Sequence, residues 1–241
     1  MTERLYAHDA DSAYLREMEA RVVDSEPAAG VVVLDATVFY PTGGGQPHDT
    51  GTLAWEGGTA RVVEVSTRGD DIAHRLEGAI PSPGLVVHGF IDWERRHLLM
   101  RTHSALHVLC GVVWRDHAAL VTGGNMEPGL ARMDFELGEW DPPAFSKEME
   151  EKVNAEIAAT RAITVAHMPR AEALKVPDLV RTKVNLIPEA VSSIRVIDIV
   201  GLDMQADGGT HVRSTGDIGR VRVVKAESKG KANKRLRIAV E

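Results

Sequence analysis

Apolar positions in the first ninety residues recur in short β-branched or alternating segments. Residues 31–39, 51–55, 60–66, 72–76 and 85–91 are each bounded by Gly, Pro or Asp, which predicts short strands closed by turns into a small barrel or sandwich. One helix is expected in this region, over residues 12–22. The pattern changes abruptly at Asp92. Residues 93–117 are rich in Leu, Met, Ala and Arg without Pro, which predicts a long helix with Asp92 as its N-cap and Leu99, Leu106 and Cys110 on its buried face. Beyond it, strands are expected at about 120–121 and 130–137. A helix follows at about 143–160, with Glu148, Glu150, Glu151 and Glu156 on its solvated face. A strand at 163–168, a short helix at 169–174 and strands to the C-terminus complete the order. The strand over 193–200 alternates Ile194, Val196, Ile197 and Ile199, and delivers residues 203–207 to its end. The predicted fold class is α+β: a small N-terminal β-barrel-like domain over 1–91, then an α+β domain over 92–241 with a mostly antiparallel sheet.

Composition narrows the setting. The 241 residues are 44% hydrophobic, ordinary for a soluble globular protein, and no apolar run approaches the ~20 residues needed to span a bilayer. No membrane association and a cytoplasmic location are expected. The single cysteine, Cys110, excludes an internal disulfide framework and leaves any metal site to His and carboxylates. A net charge of -7 argues against a general nucleic-acid coat. Its distribution differs from its sum: Lys225, Lys229, Lys231, Lys234, Arg235 and Arg237 crowd the C-terminal end with Glu227 as the one intervening acid. Such a stripe suits one defined polyanion, and it equally describes a polar edge strand blunted by lysine.

Two spaced pairs carry candidate chemistry. His103 and His107 are four apart on the long predicted helix, so both imidazoles fall on one face about a turn apart and can chelate. Asp207 and His211 flank Gly208-Gly209-Thr210, where two glycines let the backbone turn tightly enough for a carboxylate and an imidazole to converge. Each pair also has a plain reading, as core histidines and as a turn capped by Asp. A third segment, Phe39-Tyr40-Pro41-Thr42-Gly43-Gly44-Gly45-Gln46-Pro47, matches neither a Walker loop nor the dinucleotide fingerprint. Gly43, Gly44 and Gly45 would let backbone approach a phosphate or ribose, with Gln46 the side chain to watch. On composition the segment is a hairpin tip.

Taken in order, these motifs resemble a known family. Arg101-Thr102-His103-Ser104-Ala105-Leu106-His107, then Arg132-Met133-Asp134-Phe135, then Asp207-Gly208-Gly209-Thr210-His211-Val212 with Thr215-Gly216-Asp217-Ile218-Gly219, are similar to the editing domain of alanyl-tRNA synthetase and the free-standing AlaX proteins. The Gly43–Gln46 segment followed by Asp49-Thr50-Gly51 resembles the glycine-rich motif in the N-terminal β-domain of medium-length AlaX proteins, and residues 228–235 resemble the end of that family. The resemblance implies a zinc-dependent hydrolase that removes mischarged serine, and in some members glycine, from tRNA for alanine. It places the metal ligands on His103, His107, Asp207 and His211. The family usually carries Cys at the position of Asp207. A carboxylate keeps the charge and binds zinc at about 2.0 to 2.2 Å, but it is harder than thiolate, which admits Mn, Fe or Co beside Zn.

The implied reaction needs a positioned water and charge stabilisation in place of a protein nucleophile; a metal-bound water is the expected attacking group, and no protein base is identified. Recognition of the serine hydroxyl falls on Thr122 or Asn125, with Gly208 and Gly209 lining the substrate. The acceptor end of tRNA(Ala) is the expected partner, held by Lys229, Lys231, Lys234 and Arg235 together with Gly43, Gly44, Gly45 and Gln46. The protein is expected to act as a monomer. The competing readings are editing of another mischarged tRNA such as Ser-tRNA(Thr), a non-catalytic metal- and tRNA-binding protein, and a hydrolase of an unrelated ester.

Overall fold

The computed structural model describes residues 1–183, 189 and 191–241. Internal contacts divide the chain into two compact units, Met1–Leu98 and Leu99–Glu241.

The first unit contains β1 (Glu3–Arg4), β2 (Glu17–Glu26), β3 (Val31–Leu34), β4 (Ala36–Thr37), β5 (Gly51–Trp55), β6 (Gly58–Arg68), β7 (Asp71–Gly78) and β8 (Val86–Ile91). Six of these close a barrel in the order β2-β3-β7-β6-β5-β8, every neighbouring pair antiparallel. Closure removes the exposed edges that short strands would otherwise present. Val22, Leu34, Phe39, Leu53, Val65 and Val87 are among the apolar side chains that fill it.

The helix expected over residues 12–22 is not formed. Ser12–Tyr14 makes one 3-10 turn, and Glu17–Glu26 is the barrel strand β2, bonded to both β3 and β8. Its Glu, Met, Ala and Arg favour helix locally. The period of two, with Met18, Ala20 and Val22 inward and Glu17, Glu19 and Arg21 outward, satisfies two neighbouring strands at once and prevails.

The helix α1 (Trp93–His117) begins in the first unit and continues into the second, and Asp92 Oδ1 accepts from the Arg95 N–H at 3.2 Å, as an N-cap does. Arg96 in its first turn is fully buried with Asp49. Its Nε lies 3.0 Å from both carboxylate oxygens, its Nη2 also bonds Asp49, and its remaining donors reach the Ala13 and Val38 carbonyls at 2.9 and 2.6 Å. Asp49 in turn accepts from the Tyr40 N–H at 2.6 Å, so the pair anchors both ends of the glycine-rich segment.

In the second unit α1 is buried on every side from Thr102 to Val113, not along one stripe, which makes it the central element. Around it lie β9 (Val121–Glu127), β10 (Leu130–Glu136), α2 (Pro142–Ala158), β11 (Ile163–Pro169), α3 (Arg170–Ala173), β12 (Ser193–Ile199), β13 (Asp203–Ala206), β14 (Val221–Ser228) and β15 (Asn233–Val240). They form two antiparallel sheets, β14-β15-β10-β9 and β11-β12-β13. The α+β fold with antiparallel sheets is thus as expected. Two local expectations change. β15 is an interior strand whose Lys234, Leu236, Ile238 and Val240 alternate inward, so Lys234, Arg235 and Arg237 are not on an edge; Lys225, on the outer strand β14, is. Of the four glutamates expected on the solvated face of α2, Glu156 is held by Arg115 and Arg161 and Glu150 accepts from the Val223 N–H. No described helix is long and apolar enough to cross a membrane.

Candidate metal centre

α1 presents His103 and His107, and the loop after β13 presents Asp207 and His211. One ligand atom from each of the four lies within 4.8 Å of every other. The loop is shaped by its own backbone: Gly209 N–H donates to Asp207 Oδ2 at 2.6 Å, and the Val212 N–H donates to the Ser104 hydroxyl between the two helical histidines at 3.1 Å. Arg195 on β12 fastens the turn, its Nη1 donating to the carbonyls of Asp207 and Gly209 at 3.1 and 2.8 Å. Asp207 Oδ1 faces His103 Nε2 at 3.6 Å and His107 Nε2 at 4.0 Å, and Oδ2 faces His211 Nε2 at 3.9 Å.

These residues fit a divalent metal. Tetrahedral bonds of about 2.0 to 2.1 Å space neighbouring ligand atoms at roughly 3.3 to 3.4 Å, shorter than the 3.6 to 4.0 Å between Asp207 and the imidazoles, so small side-chain rotations would close the set on an ion. The His211 Nδ1 lies 3.3 Å from the Gly209 carbonyl, while its buried Nε2 has no hydrogen-bond partner. A buried nitrogen turned without a partner toward a carboxylate and two imidazoles is the condition a metal would relieve. Burial lowers the pKa of His103, His107 and His211, which keeps all three imidazoles neutral and able to donate a lone pair. Burial works to raise the Asp207 pKa, but its electrostatic interactions with His103, His107 and Arg195 and the hydrogen bond from the Gly209 N–H lower it overall, which favours the carboxylate. Three imidazoles and one carboxylate form a donor set of borderline hardness, suited to Zn, Co, Fe or Mn.

The other expected site residues have distinct surroundings. Gly43 and Gln46 exchange both backbone hydrogen bonds around Gly44 and Gly45, whose φ angles of 58° and 83° fit a tight hairpin turn that glycine tolerates. Gln46 is fully buried, and Gly44 and Gly45 form the exposed tip. Thr122 and Asn125 lie exposed on β9, where the Thr122 hydroxyl donates to Asn233 Oδ1 at 2.8 Å. Lys234 is buried, its ammonium donating to Ser228 Oγ and to the carbonyls of Gly230 and Lys231 at 3.2 to 3.4 Å. Arg235 forms a bidentate pair with Asp134, both bonds 2.7 Å. Lys229, near Glu227, and Lys231 remain exposed at the hairpin between β14 and β15. Arg195 and Ser104, which shape the ligand loop, escaped the sequence reading. Only the adjacency of Ser104 to His103 hinted at either.

Fold and site together define a class: a closed six-stranded barrel unit and an α+β unit whose buried three-histidine, one-carboxylate cluster can hold a metal. Residues 6–95 match the family model of tRNA synthetases class II (A), and residues 194–237 match that of the threonyl and alanyl tRNA synthetase second additional domain. The alanyl-tRNA editing protein AlaX-M of Saccharolobus solfataricus is 37% identical over 245 residues, covering all of both chains. AlaX-M of Methanosarcina barkeri is 37% identical over 98% of each. An alanine–tRNA ligase of Pyrobaculum arsenaticum is 37% identical over 94% of this chain, which spans 25% of that enzyme. The chain belongs to the AlaX-M family of alanyl-tRNA editing proteins.

Proposed function

We propose that the protein deacylates mischarged Ser-tRNA(Ala), with Gly-tRNA(Ala) as a candidate second substrate, by metal-assisted hydrolysis of the aminoacyl ester. The observation that carries this reading is the convergence of His103, His107, Asp207 and His211 in a protein similar along its whole length to alanyl-tRNA editing proteins. A divalent ion, zinc first, would be held by these four side chains and would supply Lewis acidity for the ester carbonyl or for water. The chain's own contribution is orientation. Arg195 holds the Asp207–Gly209 turn, Ser104 docks that turn on α1, and burial keeps the imidazoles in the neutral form. The substrate is already an activated ester, so placement of water and stabilisation of developing charge are sufficient chemistry.

The exposed Lys229 and Lys231 and the tip at Gly44 and Gly45 are proposed to meet the phosphates and ribose of the acceptor end. Thr122 is proposed to sense the serine hydroxyl, because a site that bonds a hydroxyl discriminates strongly against an analogue lacking it. The reaction would serve translation fidelity in the cytoplasm, with the protein acting as a monomer.

The test is deacylation of Ser-, Gly- and Ala-charged tRNA(Ala) by the metal-loaded protein, with Ser-tRNA(Thr) alongside because the matched domain is named for threonyl and alanyl synthetases alike. Hydrolysis of Ser-tRNA(Ala) with Ala-tRNA(Ala) spared is the expected result. Equal indifference to all four substrates, with metal bound, overturns the reading in favour of a binding protein.

A further inference from the structure

A second buried carboxylate lies behind His107, on the side away from Asp207. The imidazole turns Nε2 to Asp207 Oδ1 and Nδ1 to Asp203 Oδ2, each 4.0 Å away, and Nδ1 has no hydrogen-bond partner. Three features converge to hold Asp203 there. Gly111 lies four residues after His107 and so on the same face of α1. A Cβ at that position would sit 2.8 Å from the Asp203 Cβ and 3.4 Å from its Cγ, so the missing side chain is what lets the carboxylate approach the helix. Arg181 Nε donates to Asp203 Oδ1 at 3.3 Å, its guanidinium 4.4 Å from the centre of the Trp114 ring. Gln205, two residues along β13, donates to Oδ2. Asp203 is 5% exposed, and a buried charge needs partners of this kind.

We infer that Asp203 is a positioning residue for His107: its carboxylate accepts a hydrogen bond from the Nδ1–H, which stays on the ring, and thereby directs the Nε2 lone pair toward Asp207, His103 and His211. The 4.0 Å gap exceeds a hydrogen bond by about 1 Å, within reach of small rotations of the two side chains. The consequence is general for imidazole ligands. A carboxylate on the far nitrogen fixes the tautomer and ring orientation and raises the basicity of the near one. Arg181 and Gln205 then act at one further remove, by holding the carboxylate. None of these residues need touch the substrate.

The inference rests on the metal reading of the cluster and not on the identity of the tRNA. Its test uses the full chain and two metals, zinc with a competing chromophoric chelator for affinity and cobalt(II) for the ligand-field spectrum. Asp203→Ala is expected to weaken zinc binding about 10- to 100-fold and to shift the cobalt spectrum, whereas Asp203→Asn, which keeps an acceptor but not the charge, loses less. In the zinc-loaded wild type, long-range nitrogen NMR should report His107 protonated at Nδ1, and that signal should shift in both variants. Gly111→Ala leaves every polar group in place but displaces the carboxylate, and should weaken zinc in the same direction; it decides the matter if the Asp203 variants do not fold. Unchanged zinc affinity and cobalt spectrum in a folded Asp203→Ala overturn the inference. A wild type that takes up no metal overturns it together with the metal reading. Weakened metal binding in a protein that deacylates nothing upholds it and removes the substrate reading alone.

Discussion

On the proposed metal reading Asp207 would have two roles, as a ligand and as the acceptor that closes its own turn. Oδ1 faces two imidazoles while Oδ2 is tied to the Gly209 N–H. Asp207→Ala removes both a ligand atom and the turn's internal hydrogen bond, and should abolish zinc uptake and deacylation together; retention of both in a dialysed, metal-quantified sample would remove Asp207 from the site. Asp207→Cys replaces the carboxylate with a thiolate and should shift preference toward zinc and cadmium and away from manganese, read by competition between the metals. A different residue contributes to the acid sensitivity of the first unit. His74 on β7 is buried, its Nε2 2.8 Å from the Thr37 hydroxyl, and desolvation lowers its pKa to about 4. Between about pH 6.5 and 4 the unfolded chain binds a proton that the folded chain refuses, so stability is full above 6.5 and falls as pH drops through this window. The loss at pH 4 is on the order of 3 kcal/mol. Urea unfolding at pH 7, 5.5 and 4.5 should show this slope in the wild type, and His74→Gln should flatten it.

Two elements convert ordinary strands into candidate contact surfaces. In β9, Gly123 pairs with Asp134 and Val121 with Phe135, which leaves Thr122 as the extra residue of a bulge. A bulge re-aims its side chain, and here the hydroxyl reaches Asn233 at 2.8 Å. Thr122→Val should cost about 1 kcal/mol of stability through the lost hydrogen bond. If the hydroxyl also reads serine, the Ser-to-Ala ratio of kcat/KM falls about tenfold as well. An unchanged ratio assigns Thr122 to the bulge alone. In the β14–β15 hairpin, Lys231→Glu should raise KM for charged tRNA and flatten its salt dependence by about one unit per lost phosphate contact, with the melting temperature unchanged. Lys234→Glu should instead unfold the hairpin, because its ammonium is buried against two carbonyls and a hydroxyl. This contrast marks the limit of legibility at the level of elements. The pairs at 103/107 and 207/211 were readable because each spacing is local, fixed by one helical turn or one glycine turn. Which lysines of the basic run face water is decided by how one hairpin folds on itself, whereas why β2 is a strand and which carboxylate sits behind His107 depend on residues distant in sequence, Phe90 and Gly111, that no local pattern specifies.

At the scale of the molecule, the cluster is assembled from two chain segments about a hundred residues apart, and the matched family models divide them. Asp207 and His211 lie within residues 194–237, whereas His103 and His107 lie between the two matched stretches. Binding a metal to such a set selects the folded second unit over any state in which α1 and the β13 loop have separated, and the ligands do not preexist in the unfolded chain. At a free metal concentration a hundredfold above Kd, this linkage contributes about 2.7 kcal/mol. For a unit of this size that corresponds to roughly 5 to 10 °C in Tm. The barrel unit contributes no member of the cluster, so its strands should not sense the ion. Hydrogen exchange with and without a chelator checks this directly. Removal of metal should speed exchange over residues 101–111 and 203–212 and leave β2, β6 and β7 unchanged. Equal deprotection of both units would mean that the metal stabilises the chain as a single cooperative body, and uniform protection would show that the four side chains are held together without it.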